Sequence, residues 1–270
     1  MEEKYISLAH GNGGRYMREL IAEIFARHLS DPDQADSLDV SLDAAPIRLQ
    51  ERGEVYMTTD GFIVQPIEFP GGDIGSLAIN GTVNDLAVSG AKPQYLSLNA
   101  FIEEGLEIAT LDRIVTSLAA AAELAGVKVV AGDTKVLPRG EGGGLYLATT
   151  GVGVRGPGVD LGMHRVEPGD RILVSGPIGD HGISVMLARQ DFQISGNVVS
   201  DCGNVIDLAN TAMKFSGLKF MRDPTRAGLA GVTYEISQQV SMTVRLQETA
   251  VPIRDSVKMV CEMLGYDPYY

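Results

Sequence analysis

The sequence predicts a two-domain protein of mixed α and β structure. The N-terminal half is α+β, with a β-α-β-α-β-β order, and the second half is α/β. Three observations carry this. A chain of 270 residues can bury more than one core. Short runs rich in β-branched and aromatic residues alternate with runs of helical periodicity. Finally, a stretch of turn residues, RGPGVDLGMHRVEPGD from Arg155 to Asp170, separates the two halves.

The elements follow in order. After the turn HGNGG, residues Arg15 to Leu29 set Met17, Leu20, Ile21, Ile24 and Phe25 on one helical face. SLDAAPIRL and EVYMTTDGFIV read as strands with Gly53 in the turn between them. Behind FPGGD, the apolar residues Ile74, Leu77, Ala78, Ile79, Val83, Leu86, Ala87 and Val88 fall on nearly every side of a helical wheel. This helix is expected to be covered all round and to stop at Gly90 and Pro93. The strand YLSLNAF, a helix from Leu111 to Ala125, the strand VKVVAGD and the strand GLYLATTGVGV complete the first domain. Beyond the linker, RILVSG reads as a strand leading through PIGDHG into a helix from Ile183 to Ala188. Helices at Val205 to Phe215 and Ala227 to Val240, a strand at MTVRL and a helix from Ser256 to Leu264 follow. The expected division is a glycine-rich loop and helix over 1–39, a first domain over 40–156 and a second over 165–270. The second reads as incomplete at its end, because an α/β domain of about 100 to 150 residues usually carries more elements.

Composition excludes several function classes. With 22 Lys and Arg against 35 Asp and Glu, the net charge of −13 argues against nucleic acid and anionic membrane as partners. A polyanion bound here needs a metal ion or backbone amides. The 32 glycines cluster, which points to tight turns and close backbone approach to a ligand. The N-terminus is acidic where a signal peptide is basic, so a cytoplasmic location is expected. The richest apolar run, IVTSLAAAAELAGVKVV, is broken by Glu123 and Lys128. Cys202 and Cys261 are too few for a disulfide framework and are expected to be reduced.

Asp85 lies in the middle of the all-apolar helix. A buried carboxylate there requires a cation, a donor or a metal, or else protonates. The simpler alternative places Asn84 and Asp85 on a narrow exposed stripe with Gly81, or as caps of a broken helix. Asp60 follows the strand VYMTT and Asp133 follows VKVVAG, near strand ends where ligands of α/β folds collect. Asp43 and Asp223, the latter in MRDPTRAG, are further acids beside turn residues. As a set they suit Mg²⁺, which takes oxygen ligands and bridges to phosphates. Any one alone is more simply a cap or a solvated turn. Zinc is a poor fit, because the four histidines show no ligand spacing. HGNGG places Gly11, Gly13 and Gly14 before a helix, where amides and Arg15 are suited to hold an anion, although a plain helix-entry turn explains them equally. His10 reads more simply as a loop anchor than as a base. GVGVRG formally matches a dinucleotide fingerprint but is followed by PGVD, not an apolar helix. Lys135 stands two residues beyond Asp133, on the same face of an extended segment, suited to phosphate contact or proton transfer, or simply to solvent.

ISLAHGNGG, TTDGFIVQPIEFPGGDIGSLAINGTVNDLAVSGAKP, AGDTKV, SGPIGDHG and DPTRAGLAG together resemble the HypE family of hydrogenase maturation factors, within the aminoimidazole ribonucleotide synthetase (PurM-like) superfamily. The resemblance runs along essentially the whole chain. It implies a PurM-like two-domain fold and a homodimer whose N-terminal sheets pair into a barrel, with ATP between the domains. It implies Mg²⁺ on Asp60, Asp85, Asp133 and Asp223, with Asp43 nearby. Nucleotide contacts would come from His10, Gly11, Asn12, Gly13, Gly14, Asn84, Thr134 and Thr225, and Lys135 and Asp85 would be catalytic. The implied reaction is ATP-dependent dehydration of a carbamoylated C-terminal cysteine to a thiocyanate, the cyanide source for a [NiFe] hydrogenase. Partners implied are the carbamoyltransferase HypF and the HypC–HypD scaffold. The family pattern continues past LGYDPYY to a Pro-Arg-Ile-Cys-type tail, so this chain is expected to be C-terminally truncated. Cys202 and Cys261 match neither the tail nor its role. A nucleotide-binding assembly module and another ATP-dependent kinase or synthetase of the superfamily are the alternatives.

Overall fold

The computed structural model describes residues 3–31, 38–40, 44–49, 52–189 and 198–270. The predicted N-terminal helix is a composite run: α1 (Arg15–Leu20), a π-helical segment (Ile21–Ala26) and α2 (Arg27–Leu29), preceded by a 3₁₀ turn (Leu8–Gly11). Its apolar face buries Leu20, Ile24 and Phe25. Six strands follow: β1 (Glu54–Phe62), β2 (Glu68–Phe69), β3 (Gly72–Asp73), β4 (Lys92–Glu103), β5 (Lys128–Leu137) and β6 (Leu145–Arg155). Four of them form a mixed sheet in the order β1-β6-β4-β5, and β2 and β3 make a short hairpin. Among the described residues only β4 and β5 pair in parallel, since the helix α4 (Ile108–Ala125) supplies the crossover such a pair requires.

Helix α3 (Ile74–Val88) and α4 cover one face of the sheet. Asp73 caps α3, accepting from the Ser76 amide at 2.8 Å while the Ser76 hydroxyl accepts from the Asp73 amide at 3.1 Å. The all-round apolar wheel has its cause in the surroundings. Sheet, α4 and a helix of the second half enclose α3, leaving Ile74, Ala78, Ile79, Val83 and Leu86 buried. The other face of the sheet is open along β1, where Met57 is 73% exposed. Among the described residues the single chain therefore holds an open four-stranded sheet and no closed barrel.

The second half contributes α5 (Asp180–Ala188), α6 (Ile206–Ala212), α7 (Gly228–Val240) and α8 (Asp255–Leu264); α5 and α8 build a small core of Ile183, Val198, Val257, Val260 and Cys261, while α6 packs on α3. Several expectations are corrected. RILVSG and MTVRL are not strands, because neither finds a ladder partner among the described residues, and Leu173 is 92% exposed. Residues 44–49 of SLDAAPIRL are also not in a strand, and 41–43 lie outside the described residues. Asp60 and Asp133 do not follow their strands but sit within β1 and β5, because both ladders continue beyond the apolar runs.

Gly75 is where α3 and α4 approach most demandingly: a Cβ there would lie 2.4 Å from the Ile114 carbonyl oxygen. Gly75→Ala should therefore destabilise by about 1–3 kcal/mol in urea unfolding, although the same change in a free helix stabilises. An unchanged or raised midpoint would contradict this packing.

Candidate functional site

Strand alternation turns Thr58, Asp60 and Phe62 of β1 toward α3. The Thr58 hydroxyl donates to Asp85 Oδ2 at 2.8 Å. Asp60 Oδ1 accepts from the Gly61 amide at 2.8 Å and from Arg226 Nη2 at 3.1 Å. Asp223 arrives from the loop before α7. Burial pushes the Asp85 carboxyl above its ordinary range, with the Asp60 charge adding, against the Thr58 hydrogen bond, Arg222 and Arg226. Burial likewise pushes Asp223 up, with Asp85 and Asp60 adding. Three carboxylates from a strand, a helix and a loop of the other half thus share one field. Two of them resist carrying their charge.

Asp133 stands elsewhere. Across the sheet, Asp60 is level with Thr149, Leu98 and Gly132 in turn. Asp133 is the next residue along and points to the opposite, open face, three strand spacings or about 14 Å away. Its Oδ2 is 2.6 Å from Lys135 Nζ and its Oδ1 accepts from the Thr134 amide at 2.8 Å. The lysine hydrogen bond holds the Asp133 carboxyl below its usual range. The same-face reading of Asp133 and Lys135 therefore holds, and one chain gathers Asp60, Asp85 and Asp223 but not Asp133. Asp43 lies outside the described residues.

The remaining predicted residues divide. His10 is fully buried and anchors its turn, its Nδ1 accepting from the Ser7 amide at 3.0 Å, with its ring 5.5 Å from that of Tyr16. Gly11 lets that turn sit on β5, since a Cβ would lie 3.0 Å from Val136 Cβ. Asn12, Gly13 and Gly14 are less constrained, and space is open around the last two. Thr134 is buried and Thr225 is exposed beside Asp223. The Asn84 amide is committed to the second half: Nδ2 donates to the Gly203 carbonyl at 3.1 Å and Oδ1 accepts from the Val205 amide at 2.8 Å. Sequence reading missed Arg222 and Arg226, whose only signal was their position on either side of Asp223 in MRDPTRAG.

The donor set fits a hard divalent cation. Every ligand offered is a carboxylate oxygen, and a cation would relieve the mutual repulsion that Asp60, Asp85 and Asp223 now share. Among the described residues no group of three His, Cys, Asp or Glu is already closed to metal-binding distance. Between the N-terminal helical run and β5 there is also a hollow, lined by Met17, Ile21, Phe25, Val129 and, at its polar side, Asp133 and Thr134.

Residues 41–155 match the AIR synthase related protein N-terminal domain and residues 167–270 its C-terminal domain. A carbamoyl dehydratase HypE of Bradyrhizobium diazoefficiens is 44% identical over 267 residues, covering 98% of this chain and 76% of the relative. The chain belongs to the HypE family. A crystal structure of the hydrogenase maturation protein HypE in complex with ATP superposes with a TM-score of 0.90 at 42% identity, covering 97% of this chain and 77% of the other. A HypE–HypF complex gives a TM-score of 0.77 at 40% identity over 95% of this chain and 80% of the other. The chain thus spans about three quarters of the length of these HypE proteins. Its two-domain AIR synthase-like α/β fold is theirs. Among the described residues no helix is long and apolar enough to cross a membrane.

A carboxyl whose pKa is raised by folding favours the fold while protonated and opposes it once ionised. Its contribution is therefore lost as pH rises through the raised value. Asp223→Asn should raise the melting temperature of the ligand-free protein near about pH 7, by about 2–4 °C for each kcal/mol of repulsion relieved, and make little difference near about pH 4. Calorimetry at the two pH values checks this, and a lower melting temperature at neutral pH would contradict the raised Asp223.

Proposed function

We propose that this chain is a carbamoyl dehydratase. With ATP it takes the elements of water from a carbamoylated cysteine, R–S–CO–NH₂, leaving R–S–C≡N, ADP and phosphate. The observation that supports this reading is the cluster of Asp60, Asp85 and Asp223 in a chain 44% identical to a carbamoyl dehydratase. The chemistry is coherent. Amide oxygen leaves poorly, phosphorylation turns it into a phosphate leaving group, and both amide protons must then depart from nitrogen.

Asp60, Asp85 and Asp223 would hold Mg²⁺; Asp133, on the opposite face of the sheet about 14 Å away, does not reach that cation within one chain. Bound there, Mg²⁺ supplies neutralising charge to the phosphoryl oxygens. Lys135 is assigned to proton removal at the amide nitrogen. Because Asp133 now holds its ammonium at 2.6 Å, that role requires the pair to part and the lysine first to give up its own proton. Phosphate contacts are proposed from the HGNGG turn, where space is open around Gly13 and Gly14. Neither cysteine here suits the carbamoyl-bearing thiol, since Cys261 is buried in the second core and the Cys202 sulfur sits under the Asn80 amide at 3.7 Å. The thiol is supplied from outside these two.

The exposed apolar residues Val55, Met57 and Ile63 on the open sheet face support a homodimer formed through that face. HypF is the proposed carbamoyl donor, in keeping with the HypE–HypF complex, and the HypC–HypD scaffold the receiver of cyanide. The setting proposed is the cytoplasm.

Isothermal titration with ATP and Mg²⁺, with an EDTA control, tests the site. The protein should bind only with the metal, and Asp85→Asn should weaken that binding by at least about tenfold while the dimer persists. Unchanged binding in Asp85→Asn would refute the metal assignment. In sedimentation velocity Met57→Arg should give monomers, and a persistent dimer would exclude the sheet-face interface.

A further inference from the structure

Arg226 holds Asp60 through one contact, Nη2 to Oδ1 at 3.1 Å, while its own side chain is 84% exposed. Exposed pairs of this kind add little to stability, so the contact is readily exchanged. Yet the backbone aims it deliberately. Ala227, the next residue, holds φ at +54°, a left-handed conformation that a residue with a Cβ rarely adopts, and Gly228 follows at +55°. Gly228 packs so closely on the chain end that a Cβ would lie 2.6 Å from the Tyr269 carbonyl oxygen, and the Ala230 amide donates to that oxygen at 2.8 Å. The chain therefore fixes a strained turn at the start of α7, and its effect is to send a guanidinium from the second half across to β1.

Resting on the metal reading above, we infer that Arg226 is a cation held in reserve. It occupies Asp60 in the ligand-free chain, yields that oxygen to the divalent cation, and then meets the phosphoryl oxygens of the nucleotide. Guanidinium geometry matches phosphate as it matches carboxylate, so the same side chain serves both positions. Asp60 exchanges one positive partner for another, and Arg226 exchanges one pair of oxygens for another. Neither is left as an unpaired charge. Arg222 is placed differently: its Nη2 is 2.8 Å from Glu235 Oε2 on α7, and although Asp85 and Asp223 feel its charge, it forms no ion pair with either among the described residues.

The inference makes opposite demands on two ligands, which a merely structural role would not. Titrate the full chain and Arg226→Ala with Mn²⁺ alone, with β,γ-methylene-ATP plus Mg²⁺, and with AMP. Without its competitor, Asp60 should bind Mn²⁺ about two- to fivefold tighter. The triphosphate analogue should bind about tenfold or more weaker, since a charged contact to it is gone, and AMP should be unchanged. Arg226→Lys should recover part of the analogue's affinity. Equal weakening of all three ligands, or no change in any, would overturn the role of Arg226 while leaving the metal site intact. If the unaltered chain binds neither Mn²⁺ nor the analogue, the metal reading fails and this inference with it.

Discussion

Everything in the molecule depends on α3 being covered on all sides while carrying a carboxylate. A helix so apolar has no solvent face, so its neighbours must close on it: β1 and β6 beneath, α4 beside it, and α6 of the second half above. Two glycines permit the approach. Gly75 admits the Ile114 carbonyl, and at Gly81 a Cβ would lie 2.7 Å from the Phe62 ring. The second half is then tied to α3 by side chains, Asn84 to Gly203 and Val205, and Asn80 to Cys202. The helix is the reference against which both halves are set. Asp85, about three turns from its capped start, is consequently offered to the sheet on one side and to the 223 loop on the other.

This arrangement is electrostatically costly, and the cost is concentrated on Asp85 and Asp223. Burial and like charge raise both Asp85 and Asp223, and a purely structural site would have relaxed them by pairing or replacement. Thr58 gives Asp85 one donor, enough to orient it and not enough to neutralise it. A fold that holds such groups where ionisation is opposed forgoes stability it could have had from pairing them.

Sequence patterns exposed the first half well and the second poorly, for a physical reason. Periodicity is local, so the all-round wheel of α3 and the β-α-β-α-β-β order were visible in the residues themselves. A strand exists only with a partner. RILVSG and MTVRL have strand composition, but composition does not reveal whether a ladder is present. The acids show the same limit at finer scale. Asp60 and Asp133 look equivalent in sequence, each at the end of an apolar run. Only the register, Asp60 to Thr149 to Leu98 to Gly132, reveals that they face opposite ways. Arg226 was hidden for a related reason: an arginine in a turn reads as solvated until the fold puts a carboxylate opposite it.

The four acids then sort by how their charge is balanced. Asp60 and Asp133, the two on strands, each have a basic partner at hydrogen-bond distance, Arg226 and Lys135. Asp85 and Asp223 have no ion-pair partner among the described residues, and they are the two that burial raises. A divalent cation entering the cluster would complete the unbalanced acids and compete with Arg226 for Asp60, whereas the Asp133–Lys135 pair, about 14 Å away on the opposite face of the sheet, would be left as it is. On the metal reading proposed above, the guanidinium released from Asp60 would then lie beside the cluster, where a phosphoryl group needs positive charge.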